Sequence, residues 1–217
     1  MILFLAVLWK YPTFLRDARI GFINYKVRVG VDLIQYLKGT FTLIDQWDIT
    51  CAKRKNNACI VFEGHTLTFG EIDRYANQLA HWALDTGLVR GDVVALFMGN
   101  SPEFFCTWLG LAKVGVECAF INTNIRGDSL LHSVKVCKAR LIISSPELAS
   151  AVSELTSDLV PLHISHHILG PEGNMDLHTR SECKPSAVFR KNVTYLSPLY
   201  YIFTSGTTGN NLLPQCF

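Results

Sequence analysis

The 217-residue chain has no Cys-x-x-Cys pair, no internal repeat, no low-complexity tract, and a net charge of only +2. Each absence removes a class of protein. Seven cysteines (Cys51, Cys59, Cys106, Cys118, Cys137, Cys183, Cys216), an odd number at irregular spacing, argue against a disulfide framework and a structural zinc site, and imply a reducing compartment. The small net charge, with no basic patch alternating with aromatic residues, sets nucleic acid aside as a partner. At 49% hydrophobic and 18% charged residues, the chain has enough apolar surface for a folded core, so disorder is not expected.

A long apolar run is also missing. Spanning a bilayer takes roughly 20 apolar residues, whereas the run from Met1 to Trp9 stops at Lys10. It has no basic group before it and no Ala-x-Ala site after it, so a cleaved signal peptide does not fit. The stretch beyond it is basic: residues 1–38 hold Lys10, Arg16, Arg19, Lys26, Arg28 and Lys38 against Asp17 and Asp32, leaving the rest of the chain with a charge of −2. Phe14, Leu15, Phe22, Ile23, Leu33, Ile34 and Leu37 are interspersed through this stretch. The combination favours a membrane surface. The competing reading makes Met1–Trp9 one buried strand or helix of the core. Asn192-Val193-Thr194 matches a glycosylation sequon and is read as a chance match.

Further along, alternation of elements predicts an α/β fold. Thr42 and Asp45 cap a helix carrying Ile44, Trp47 and Cys51. Ala58–Phe62 and His65–Thr68, joined by Glu63-Gly64, read as a hairpin. Thr68-Phe69-Gly70-Glu71 is a capping box before a helix with Ile72, Tyr75, Ala76, Leu79 and Ala83 at helical spacing, and Gly87 stops it. Val93–Met98 is strand-like, Asn100 caps the helix running through Trp108 and Leu111 to Gly115, and Val116–Ile121 is the next strand. Asp128 or Ser129 starts another helix, and Arg140–Ser144 forms a third strand. Such an order implies right-handed crossovers, a parallel sheet covered by helices, and ligands at the carboxyl ends of the strands. Beyond it, Glu147–Leu155 reads as helix, His163–Leu169 as strand and Gly170–Ser186 as surface loop.

The chemistry is concentrated at the end. Leu199-Tyr200-Tyr201-Ile202-Phe203 is a strand that runs into Thr204-Ser205-Gly206-Thr207-Thr208-Gly209. Gly206 and Gly209 allow close backbone approach to an anion, while Thr204, Ser205, Thr207 and Thr208 supply hydroxyl donors. The Walker pattern is absent, with Asn210 where its Lys would stand, and Gly-x-Ser-x-Gly is absent too. By composition alone a plain turn competes with a phosphate site.

Tyr201–Gly209 resembles the signature of the adenylate-forming superfamily. Thr68–Glu71 with Asn77, Gly91–Leu96, Met98–Asn100, Trp108–Gly115, Ile121–Arg126 and Ser145–Leu148 resemble its fatty acid transport protein branch, the very-long-chain acyl-CoA synthetases, over residues 40–209. The resemblance implies a ligase that uses ATP and Mg²⁺ to turn a fatty acid into acyl-adenylate and pyrophosphate, then coenzyme A to form the thioester. It assigns the phosphates to Thr204, Ser205, Gly206, Thr207, Thr208 and Gly209, with no catalytic nucleophile and no metal ligand in the chain. Asn122–Arg126 either lines the pocket or serves as a helix cap with a solvated Arg, the latter preferred. His163, His166, His167 and His178 read as ordinary polar residues rather than a metal site.

After Gly209 the chain departs from the family pattern, with Asn210–Phe217 in place of Leu-Pro-Lys and a helix. Three segments are therefore expected: 1–38, a basic apolar membrane-associating segment; 39–209, a partial AMP-binding domain; and 210–217, a tail outside the pattern. A truncated chain without ligase activity is expected, with its edge strands open. The implied location is a membrane, the endoplasmic reticulum first and the plasma membrane or peroxisome next. The contrasting reading is a non-catalytic membrane-associated protein in lipid uptake, or a partner of a full-length homologue.

Overall fold

Because Val, Ile, Leu and Ala alternate between two buried faces along its strands, the central sheet is covered on both sides. The computed structural model describes residues 14–38, 41–170, 173–203 and 212–216. The expectations for Met1–Trp9 and for Thr204–Gly209 lie outside the described residues. The chain divides into two units, residues 1–41 and 42–217.

In the first unit, α1 (Phe14–Lys38) is a single helix of 25 residues. Ile20, Phe22, Ile23, Tyr25, Val29 and Leu33 are all exposed on it, and the Lys26 ammonium lies 4.6 Å from the Phe22 ring centre. Among the described residues no helix is long and apolar enough to cross a membrane.

The second unit opens with α2 (Leu43–Arg54), started by the expected capping box: the Asp45 carboxylate accepts from the Thr42 amide at 2.8 Å. The hairpin β1 (Ala58–Phe62) and β2 (His65–Thr68) leads into α3 (Phe69–Asp85), where Glu71 accepts from the Thr68 amide. Then come β3 (Val93–Phe97), α4 (Pro102–Lys113), β4 (Glu117–Phe120), α5 (Gly127–Val136) and β5 (Leu141–Ser144). Two short helices, α6 (Ala149–Ser153) and α7 (Thr156–Leu159), precede β6 (Ser165–Ile168). A long connection then reaches β7 (Pro198–Phe203) and β8 (Leu212–Cys216).

The sheet order is β6-β5-β3-β4-β7-β8, with the first five strands parallel. Val94 and Leu96 of β3 face the core beneath α3 and α4, whereas Ala95 and Phe97 face the core beneath α5. The period of two thus sorts consecutive residues into separate cores.

Three details differ from the sequence reading. Ser101, not Asn100, is the cap of α4: Pro102 takes the first helical position, where its missing N–H costs nothing, and the Ser101 hydroxyl accepts from Phe104. Met175 and Leu177, expected in a surface loop, are buried against the α3 core. Finally, β7 is not an open edge, because Leu212–Cys216 pairs antiparallel with it, Phe203 opposite Leu212. Pro214 has no N–H for a ladder and suits such an outermost strand.

The opposite edge is closed by a side chain. Leu169 donates to Ser144 on β5, so residues 166 and 168 turn their backbone groups outward, the Ile168 N–H and the His166 carbonyl among them. The Asn174 carboxamide accepts from the first at 2.8 Å and donates to the second at 3.4 Å. One side chain therefore takes the place of a neighbouring peptide unit.

Candidate nucleotide site at the carboxyl end of the sheet

Strand β7 is positioned by aromatic packing and by one polar anchor. Tyr200 stacks on Phe120 of β4, ring centres 4.9 Å apart and 11° from parallel, and Trp108 of α4 meets Tyr200 edge-on at 5.9 Å. On the other face the Tyr201 hydroxyl donates to Glu117 at 2.6 Å. Burial raises the Glu117 carboxyl above its ordinary value, an effect partly opposed by that hydrogen bond. These contacts fix the register Cys118 to Tyr200 and Phe120 to Ile202.

This register brings the end of β7 to the carboxyl end of β4. Phe203, which precedes Thr204 in sequence, and Leu212, which follows Asn211, stand directly opposite each other. Both anchors of the expected phosphate-binding segment therefore stand at the sheet end where crossover topology gathers ligands.

Next to it, Asn122–Arg126 follows β4. The Asn122 side chain accepts from the Asn124 amide at 2.9 Å, making a tight turn. Arg126 occupies the cap position of α5 without capping it by side chain. Instead, its guanidinium donates to the Thr123 and Ile125 carbonyls at 2.6 and 2.7 Å and lies 5.7 Å from the Phe97 ring centre. Arg126 itself is exposed.

Three buried thiols are poor nucleophiles: burial pushes Cys106 up to about 12, Cys137 to about 11, and Cys118 well above its ordinary value. Two of the histidines, on β6, make defined contacts. His166 Nε2 is 2.8 Å from the Ser144 hydroxyl, and His167 meets Trp82 edge-on at 5.0 Å.

Concavities surround this frame, among them one of about 480 Å³ lined by Glu117, Arg140 and Tyr201. A smaller one of about 230 Å³ lies at the amino ends of β4 and β7, the opposite end of the strands from Phe203. Another, about 670 Å³, runs between α3, the start of α4 and residues 173–178.

A charged cluster was missed in the sequence. Lys113, only 2% exposed, reaches Asp73 at 2.6 Å and Asn77 at 2.8 Å, with Asp48 at 3.9 Å. Trp47 donates to Asp73 at 2.7 Å, and Arg190 reaches Asp45 at 2.9 Å and Asp48 at 3.4 Å. Its one sequence signal is a lysine set among apolar residues in Leu109–Val114.

The fold and the strand-to-loop junction define a class: residues 47–211 match the family described as AMP-binding enzyme, and the chain belongs to that family. Its relatives are more particular. It is 36% identical over 197 residues to long-chain fatty acid transport protein 6 of Mus musculus, covering 84% of this chain and 31% of the relative. It is 39% identical over 166 residues to long-chain fatty acid transport protein 2 of Rattus norvegicus, covering 72% and 27%. The chain thus spans less than a third of the length of these two relatives. Among solved structures, it superposes on the anthranilate CoA ligase AuaEII in complex with anthranoyl-AMP with a TM-score of 0.71 at 22% identity, covering 82% of this chain and 35% of that one. The N-terminal domain of FACL13 from Mycobacterium tuberculosis gives 0.71 at 20% identity, covering 81% and 44%. These neighbours share the α/β fold.

Proposed function

We propose that residues 39–209 form the phosphate-gripping part of an ATP-dependent long-chain or very-long-chain fatty acid–CoA ligase. The observation that carries this reading is the meeting of Phe203 and Leu212 at the carboxyl end of a parallel sheet, with Thr204-Ser205-Gly206-Thr207-Thr208-Gly209 between them. The donor set suits a triphosphate: four hydroxyls, two glycines that let amides approach, and no acidic side chain to repel the anion. Holding the β- and γ-phosphates would orient the α-phosphorus toward attack by the substrate carboxylate, releasing pyrophosphate. The contribution is positioning and electrostatics. The names of the relatives support a fatty acid as the acid partner.

Magnesium would neutralise the phosphates. Among the described residues no three His, Cys, Asp or Glu side chains are grouped to hold a metal ion, so no step on this chain is assigned to it. Coenzyme A is likewise given no residue here. The chain on its own is expected to bind ATP without supporting the reaction.

A fluorescent ATP analogue titrated into the purified chain tests this. Each hydrogen bond to a charged oxygen contributes about 1.5–3 kcal/mol, so Thr207→Val is expected to weaken binding about tenfold or more, and Gly206→Val to do the same by blocking backbone approach. Equal affinity in both variants would remove the phosphate site. Fatty-acid-dependent pyrophosphate release by the 217-residue chain would overturn the expected inactivity.

A second reading is favoured by the exposed apolar side chains of α1. In it, residues 1–38 hold the chain on a membrane, the endoplasmic reticulum being the first to examine, where it assists fatty acid uptake or pairs with a full-length homologue. Residues 210–217 then stand outside the family pattern, with Leu212–Cys216 among them serving as a sheet-edge strand.

A further inference from the structure

The edge strand β6 carries two adjacent imidazoles, one inserted on each face of the sheet. His166 shares its face with Ile142 and Ser144, and its Nε2 is the hydrogen-bond partner of the Ser144 hydroxyl, which belongs to a fully buried residue. His167 points to the opposite face, edge-on to the buried Trp82 of α3, with its Nε2 3.2 Å from the Ser165 hydroxyl. The rest of β6 is one serine and one isoleucine.

Among the described residues, the hydrogen-bond partners of the two rings are neutral hydroxyls, Ser144 for His166 and Ser165 for His167. The charged group that acts on His166 is His167 itself. Of the described carboxylates on neighbouring elements, Asp85 is paired with Arg180, while Glu147 and Asp176 accept from the Ser145 and Thr179 hydroxyls. His81, on α3, is bonded to the Cys183 carbonyl. The α6 helix, which packs on β6, carries no charged residue.

What β6 holds is the wall of the larger cleft. Asn174 bridges the outer groups of His166 and Ile168, and a Cβ on Gly173 would fall 2.0 Å from the Ile168 carbonyl oxygen. Residues 174–178, which line the cleft opposite Tyr75 and Glu103, are thus laid directly on the strand.

We infer that β6 is an acid-released edge strand, whose detachment when His166 and His167 take up protons frees residues 173–178 and opens the cleft between α3 and α4. A second proton on His166 turns both ring nitrogens into donors and places charge against a buried face; on His167 it places charge in the half-buried space against Trp82. The first charge also repels the second. Burial accordingly holds both imidazoles below their ordinary value of 6.5, with His167 adding to the effect on His166. The released strand therefore binds protons more readily than the docked one, so docking is complete above about 6.5 and weakens as pH falls below it.

Amide hydrogen exchange at Ile168 and Leu169, corrected for its intrinsic pH dependence, tests the device in the intact chain. Protection is expected to fall up to about tenfold per imidazole between about pH 7.5 and pH 5.5. Protection of β3 amides should stay constant. His166→Asn with His167→Phe keeps a hydrogen-bonding partner and an aromatic edge but cannot titrate, and it should abolish the fall. Because that variant can misfold, fluorescence of Trp82 in the unaltered chain gives a second readout, since imidazolium quenches a contacting indole. Its midpoint should lie below the ordinary imidazole value and coincide with the loss of protection. Constant protection across this range, or a fluorescence midpoint unaccompanied by exchange at β6, would overturn the inference.

Discussion

At the scale of single residues, Lys113 decides most. Its ammonium is removed from water and rests on Asp73, Asn77 and Asp48, which arrive from α2 and α3. Removing one partner of a buried pair strands the other, so Lys113→Ala is expected to cost about 3–5 kcal/mol; the urea midpoint of unfolding measures it. Lys113→Met with Asp73→Leu, which removes both charges, should recover part of that loss. Little of this is legible in the sequence. A lysine in the last turn of a helix ordinarily faces solvent and favours the helix dipole, and no local pattern reports that carboxylates converge on it from two other helices. The sequence reading makes Arg126 a solvated side chain beside a helix starting at Asp128 or Ser129; it instead stands at the cap position of a helix that begins at Gly127, with its guanidinium on backbone carbonyls.

At the scale of elements, the contact between α3 and α4 turns on a missing side chain. A Cβ at Gly110 would lie 2.6 Å from both the Ala76 carbonyl oxygen and the Leu79 Cβ. Gly110→Ala is therefore expected to destabilise the fold by about 1–3 kcal/mol despite its better helix propensity, which a thermal melt would show. The Asn174 clamp predicts a different symptom. Asn174→Ala leaves the Ile168 amide and His166 carbonyl free, and should raise aggregation, followed by light scattering, more than it lowers stability. Capping boxes at Thr42 and Thr68, the hairpin and the strand periods can be read in advance because each is written within a few residues. Asn174 cannot, since a side chain that substitutes for a strand leaves no periodicity. The α4 cap falls one residue later than the sequence suggests because Asn100 and Ser101 are equally good caps, and Pro102 settles between them.

At the scale of the molecule, the parallel class is legible in the sequence and the strand order is not. Alternating strands and helices dictate crossovers, but whether β7 joins the β6 edge or the β4 edge depends on aromatic packing among Phe120, Trp108 and Tyr200. Two outcomes are expected of the whole chain. Stability should decline as pH drops below about 6.5, through the two histidines of β6 held neutral in the fold, and decline again in stronger acid as Asp45 protonates. Asp45 is desolvated, which raises its value, yet hydrogen bonds from Thr42 and the Arg190 guanidinium hold it lower, so its contribution is present above about 3.8 and lost below. Denaturant titrations at stepped pH would resolve both phases. For α1, co-sedimentation with anionic vesicles should exceed that with neutral vesicles and weaken in high salt, as a charge-assisted surface contact requires.

The pairing of Cys118 with Tyr200 joins positions about eighty residues apart, a separation of the kind that slows folding. A chain emerging from the ribosome can close the hairpin and the first crossovers early, but β7 has no seat until its aromatic partners are assembled. With the phosphate site proposed above, nucleotide affinity should consequently be the last property acquired during refolding, lagging behind the recovery of helical circular dichroism.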